Sequence, residues 1–265
     1  MENSSRPLRE LFDDIADDYD SWRPAYPDKI IPDIIRESDV GKNGNVLEIG
    51  PGTGQLTRLL ASEGFEVLAL ELGKNLAEKA KNNLSHFVGV RVVNGNFDEY
   101  AFPPESFDLV VAATSFHWLD PDSRARKIAK ILKSKGVLAL IDTHHVDGGL
   151  DDFPEISQAC YLKYDRNTTE DYRIPKASEV ELRRQKWEKE LSQWFETIFS
   201  GTYQWNTIYS GKEYSHLMRT YSSTISMEKH SIESLLSCIE NLIENEFHGK
   251  VVKCYVNELF LARKR

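Results

Sequence analysis

The strand-like run NVLEI, residues 45–49, passes directly into Gly50-Pro51-Gly52-Thr53-Gly54 and then into a helical pattern that starts near Gln55. Three glycines in five residues let the backbone turn tightly through positive φ and let a ligand come close to the main chain. The first turn of the following helix adds N–H groups that have no partner within the helix. A chain organised around such a turn folds as an α/β layer with a nucleotide-like ligand at the carboxyl end of the strand.

The rest of the amino-terminal half extends this pattern. NVLEI, EVLALE, VRVVN, FDLVVAA and GVLALID are short apolar runs bounded by Gly, Asn or Asp, as expected of parallel strands covered on both faces. Gln55 to Ser62, Asn75 to Asn83 and Pro121 to Leu132 have helical spacing between them, with Pro121 placed in a first helical turn. Beyond Asp142 the texture changes. A Gly148-Gly149 break leads into a charged, aromatic-rich stretch read as helices to about Ser200, with Val180, Leu182, Trp187, Leu191, Trp194, Phe195 and Ile198 on one buried face. GTYQWNTIYS and KVVKCYVNELFLA read as two closing strands, with helices over Lys212 to Met227 and Ser231 to Asn245 between them.

The spacing of the loop separates two cofactors. A dinucleotide loop, G-x-G-x-x-G, places its third glycine at the position held here by Gln55, whereas this chain has it at Gly54. Glu48, just ahead of the loop, suits the cationic end of an amino-acid-bearing sulfonium and sits poorly beside a pyrophosphate. Glu71 ends the second strand, 17 residues after Gly54, where a carboxylate accepts both hydroxyls of a ribose. That acidic position serves NAD and S-adenosylmethionine (SAM) alike.

VLEIGPGTGQLT, with the acidic end of EVLALE, resembles motif I and its partner in class I SAM-dependent methyltransferases. The resemblance covers roughly Leu11 to Leu140. It implies a Rossmann-like seven-stranded mixed sheet of order 3-2-1-4-5-7-6, the last strand antiparallel, with helices on both faces and a helical insertion between strands five and six. It also implies one methyltransferase domain over 1–265, an N-terminal helical lid over 1–40 and a substrate cap over 147–200.

On this resemblance the cofactor residues are Tyr19, Arg23, Glu48, Gly50, Gly52, Gly54, Glu71, Leu72, Asn96, Phe97 and Thr114. Asn96 stands where many members have Asp and still offers an amide oxygen to the adenine amino group, with Phe97 either on the ring or in the core. LFDDIADDYDSWRPAYP, carrying Phe12, Tyr19, Arg23, Pro24 and Tyr26, resembles the lid of small-molecule methyltransferases; there Arg23 forks onto the methionine carboxylate and Tyr19 covers the transfer site. In Thr114-Ser115-Phe116-His117-Trp118-Leu119-Asp120, His117 is the candidate base and Trp118 a pocket wall; His117 and Tyr19 are the catalytic candidates. In the cap, Tyr161, Tyr164, Tyr172, Trp187, Trp194 and Phe195 are candidates for a pocket, with core packing the commoner fate of such rings. Arg173, Arg183, Arg184 and Arg219 are candidates for a carboxylate.

The reaction expected is methyl transfer to an O, N or C nucleophile of a small molecule, a carboxylic acid among the candidates, since some relatives of this FHW type, similar to trans-aconitate methyltransferase, act on small organic acids. The alternatives are a catalytically silent SAM-binding regulator or scaffold, a NAD-dependent oxidoreductase and a cyclopropane-forming variant. A formal charge of -9 and a pI near 5.4 argue against a nucleic-acid partner. No run approaches the roughly 18 apolar residues of a membrane span, and MENSSRPLRE lacks a signal-peptide core. The expectation is a cytoplasmic monomer or homodimer. Cys160, Cys238 and Cys254, odd in number and far apart, read as reduced, mostly buried thiols, and no metal site is evident among the seven histidines.

Overall fold

The computed structural model describes residues 7–148 and 151–265, with the side chains of residues 181–183 left out. Gly149, the side chains of Leu182 and Arg183, and the first six residues of MENSSRPLRE therefore lie outside the described residues. Seven strands form one sheet: β1 (Asn45–Ile49), β2 (Glu66–Glu71), β3 (Val90–Asn94), β4 (Phe107–Ala113), β5 (Leu132–Val146), β6 (Phe195–Ser210) and β7 (Lys250–Lys264). Their order is β3-β2-β1-β4-β5-β7-β6, with β7 antiparallel in an otherwise Rossmann-like arrangement. β1 pairs in parallel with β2 and β4, β2 with β3, and β4 with β5. Helices connect β1 to β2, β2 to β3 and β4 to β5, as parallel neighbours require, whereas β3 runs to β4 through residues 95–106 without a helix.

The chain divides into two compact units. The first comprises Met1–Pro24, His145–Val180 and Gln204–Val256; the second comprises Ala25–His144, Glu181–Tyr203 and Asn257–Arg265. In the second, which we call the sheet unit, alternation along the strands separates two cores. Leu47, Ile49, Val110, Ala112, Leu138, Leu140 and Phe260 face one way, and Val46, Leu109, Val111, Val137, Ala139 and Leu259 face the other. Ile30, Ile31 and Ile34 of the helix Ile30–Ser38 cover the second face together with Leu56 and Leu60 of the helix Gln55–Ser62. Each side chain so enclosed contributes about 1.5–3 kcal/mol. The first unit is built on rings: Phe153, Tyr209, Tyr214 and Tyr255 are buried with Leu217, Leu235, Ile239 and Ile243.

Three local expectations change. The helix after Ala177 stops at Leu191, and Phe195 and Ile198 lie in β6 instead of on its buried face. The chain turns at Trp194, whose N–H reaches Leu191 O at 3.0 Å, and the FETIF segment that follows is β-branched and aromatic enough to extend. Pro121 falls in a turn, not in the helix, which begins at Arg124. Asp120 organises that turn by accepting from Asp122 N and Ser123 Oγ. Finally, Cys160 and Cys238 form a disulfide between the helices Phe153–Tyr164 and Lys229–Glu246; Cys254 alone is a free, buried thiol. The partners are 78 residues apart in sequence, so only helix packing brings their Cα atoms to 5.9 Å. No helix of the described residues is long and apolar enough to cross a membrane, and among them no group of His, Cys, Asp or Glu forms a metal cluster.

Candidate functional site

The glycine loop leaves β1 with Gly50, Gly52 and Gly54 at φ of +68°, +60° and +95°. Space is tight at two of them, and a side chain is forbidden at Gly50, whereas at Gly54 it would require the end of the Leu84 side chain to shift. A Cβ on Gly50 would lie 2.7 Å from Ser115 Cβ, and one on Gly54 would lie 2.7 Å from Leu84 Cδ1. Ser115 also donates to Ile49 O at 2.5 Å, so the segment after β4 closes directly onto the loop.

Glu71 braces the same loop from β2. It is buried, and its two oxygens accept from Gly52 N–H and from Gly73 N–H, each at 2.9 Å. With both oxygens engaged by main-chain N–H groups, Glu71 fixes the loop from the end of β2. Asn94, directly opposite Glu71 on β3, donates to Glu71 O and Leu72 O and thereby holds the chain end that carries Leu72. Glu48 points into the buried layer beneath the helix Gln55–Ser62. Burial raises its carboxyl to about 7, the Thr57 hydroxyl donating at 2.6 Å pulls it down, and the like charge of Glu71 pushes it up again.

Thr114, at the carboxyl end of β4, has φ of +54°. This is a strained conformation for a β-branched residue, of a kind concentrated at ligand sites. Its N–H is held by Ile141 O at 2.7 Å, so the strain is built into the strand pairing. His117 follows in the short 3-10 turn Phe116–Trp118; it is exposed and its ring lies 4.6 Å from that of Trp118. Asn96 uses its amide locally, its oxygen accepting from Asp98 N–H and its nitrogen donating to Glu99. Phe97 is buried in the core beside Phe102, the second of the two placements open to it.

Of the residues expected to form a lid, Phe12, Tyr19, Arg23 and Pro24 lie in the first unit and Tyr26 in the second. Tyr19 is half-buried and meets Phe12 edge-on, and the Arg23 guanidinium lies 5.0 Å from the Tyr19 ring, 5.3 Å from Tyr221 and 6.0 Å from Phe12. Arg23 Nη2 donates to Thr220 O at 2.6 Å. Other candidates are taken up structurally. Trp187 and Trp194 pack on the core that contains Phe195, Tyr161 and Tyr164 pack on the ring-rich core, and Tyr172 is exposed. Arg173 and Arg219 are forked onto Glu179 and Glu233, and Arg184 donates to Ser200. Sequence reasoning missed Ser115, Thr57 and Asn94, which are ordinary polar residues until the pairing of β1 with β2 and β4, and of β2 with β3, is known.

A family model described as a methyltransferase domain matches residues 47–140, the segment that holds the glycine loop, Glu71 and Thr114. An uncharacterized methyltransferase of Schizosaccharomyces pombe is 35% identical over 129 residues, which cover 48% of this chain and 50% of that one. One from Geobacillus sp. is 31% identical over 147 residues, covering 52% of this chain and 68% of its own length. The match thus spans half the length of the first relative and two thirds of the second. Among solved structures, a Haemonchus contortus phosphoethanolamine N-methyltransferase in complex with phosphomonomethylethanolamine and S-adenosylhomocysteine has the same fold, with a TM-score of 0.54 at 16% identity over 98% of this chain and 60% of that one.

Proposed function

The chain belongs to the class I S-adenosylmethionine-dependent methyltransferases, and on that premise we propose that it transfers a methyl group to an O, N or C nucleophile of a small molecule, carboxylic acids being the first class to try. The observation that carries the reading is the loop in which Gly50, Gly52 and Gly54 all take positive φ while buried Glu71 holds Gly52 N–H.

The residues present fit the cofactor. Glu71 supplies the carboxylate for the ribose hydroxyls, Gly52 leaves the main chain open to close approach, and Leu72 and the remaining lone pair of the Asn96 oxygen serve the adenosine side. Glu48 and Thr114 border the amino-acid side. SAM supplies a methyl group already activated on a sulfonium sulfur, so alignment and exclusion of water are what the chain contributes. His117, exposed after β4, accepts the proton of the attacking group where that group carries one.

Calorimetric titration with S-adenosylhomocysteine tests the proposal. Wild type should bind, and Glu71→Ala, which leaves two backbone N–H groups without their acceptor, should weaken binding by roughly tenfold or more. No binding at millimolar ligand would sink it.

A further inference from the structure

We infer that Arg124 is a positioning residue for the cofactor site: its guanidinium fork fixes the Phe116–Trp118 turn, which carries His117 and, through Ser115, closes onto the glycine loop. Its effect on cofactor binding rests on the methyltransferase reading; the bracing of the turn does not.

Arg124 opens the helix Arg124–Ile131 and lies on its buried stripe with Ile128 and Ile131, at the i, i+4, i+7 spacing that core packing reserves for apolar side chains. It is 8% exposed. A cation there is costly twice over, because burial strips its water and because the amino end of a helix carries the positive end of the backbone dipole. Glu190, near the end of the helix Ala177–Leu191, offsets this: its two oxygens accept from Nε at 2.7 Å and from Nη2 at 2.8 Å. A pair of apolar side chains of similar volume would commonly hold the two helices together as well. The ion pair alone therefore gives no reason for the cation.

A third donor gives one. Arg124 Nη1 donates to Phe116 O at 2.8 Å, and the guanidinium carbon lies 4.1 Å from the centre of the Phe116 ring. Phe116 O also accepts from Leu119 N–H at 3.2 Å and Ser115 O from Trp118 N–H at 3.0 Å, so the fork braces a turn of only three residues that has few bonds of its own. Ser115, immediately before the turn, donates to Ile49 O and sets its Cβ against Gly50. Held on its other edge by Glu190, the planar fork fixes the Phe116 carbonyl and ring together, which a lysine ammonium, a point charge on a flexible stem, does not. The same helix reaches the segment after β3, where Lys127 Nζ donates to Phe97 O at 2.5 Å and to Asp98 O at 3.0 Å. Buried Arg124 and half-buried Lys127 thus both end on main-chain carbonyls, next to His117 and Asn96 respectively.

The test uses the full chain and reads hydrogen exchange over residues 116–119, denaturant unfolding and calorimetric titration with S-adenosylhomocysteine. Arg124→Met/Glu190→Met, which removes both charges and keeps the packing, should unfold at the wild-type denaturant concentration, while the amides of Trp118 and Leu119 exchange roughly tenfold or more faster and S-adenosylhomocysteine binds roughly tenfold more weakly. Arg124→Lys, which keeps the charge and loses the fork, should likewise unfold as wild type does and leave the turn loose. Lys133→Met, which breaks the ion pair with Asp108 in the same unit, should match wild type in exchange and affinity. Wild-type exchange or wild-type affinity in the double variant overturns the inference. Faster exchange that comes only with a lowered unfolding midpoint overturns it too, since the pair then supports the fold and not the turn. If wild type binds no S-adenosylhomocysteine while the turn loosens in both Arg124 variants, the cofactor role falls with the methyltransferase reading and the bracing of the turn stands.

Discussion

The two units of this chain are built from opposite materials. In the sheet unit the site is main chain: three positive-φ glycines, the strained Thr114, and N–H groups fixed by Glu71. The surrounding core is aliphatic and β-branched, and it holds strand ends in register. In the ring-rich unit the contacts are made by side chains: Arg23 lies against the rings of Tyr19 and Tyr221 and Lys253 against those of Tyr214 and Tyr255, with a disulfide between two of the helices. Backbone sites tolerate almost no change of residue at the contact and suit an invariant ligand. Side-chain sites change specificity with one substitution and suit a variable one.

The largest effect expected from this contrast is at Gly50. Gly50→Ala forces a side chain into the left-handed region and into Ser115 Cβ, which together cost roughly 2–5 kcal/mol. Binding of S-adenosylhomocysteine should be lost, while the unfolding transition of the ring-rich unit stays where it is in wild type. Denaturant unfolding and calorimetry check this; retention of cofactor affinity would mean that the loop is not held as rigidly as its contacts imply.

Next in size is the disulfide. Chain entropy for a loop of this length amounts to about 4.5 kcal/mol, of which disulfides typically deliver about 2–4 kcal/mol. Cys238→Ser should therefore lower the transition of the ring-rich unit in scanning calorimetry, as dithiothreitol should in wild type, and the reductant should then have no further effect on the variant. If both units shift equally, they unfold as one and the division into two energetic regions fails.

These two predictions draw on features of unequal legibility. The loop could be read because a glycine at positive φ has few substitutes, and the first five strands because covered parallel strands are continuous apolar runs. Four of those strands, NVLEI, EVLALE, VRVVN and FDLVVAA, have the expected bounds. The disulfide could not, since residues 160 and 238 meet only through helix packing. Phe195 and Ile198 misled because apolar spacing over so short a run fits helix and strand alike.

A third prediction concerns Glu48, whose carboxyl is raised to about 7 by burial. A carboxyl with a raised folded-state value favours the folded protein at low pH, because the folded state keeps a proton that the unfolded chain gives up. Stability should thus fall as pH rises from the ordinary carboxylate range towards 7, by up to about 1.4 kcal/mol per pH unit. Glu48→Gln should flatten that slope and leave the pH dependence of the ring-rich unit unchanged, as read by denaturant unfolding between pH 4 and 8, roughly the window bounded by the unfolded and folded values. An unaltered slope in the variant would place the titration elsewhere.

The smallest effect tests whether the backbone site depends on one side-chain brace. Ser115→Ala removes the hydroxyl that donates to Ile49 O but keeps the Cβ that limits Gly50. The loss of one neutral hydrogen bond costs about 1 kcal/mol. Stability should fall by about that much and cofactor affinity by no more than roughly fivefold, the equivalent of 1 kcal/mol. Ser115→Gly, which also removes the steric stop, should weaken affinity further, since the loop then gains room to relax away from Gly52. If Ser115→Ala alone abolishes binding, the hydroxyl and not the shape of the main chain holds the loop, and the two units are built on the same principle after all.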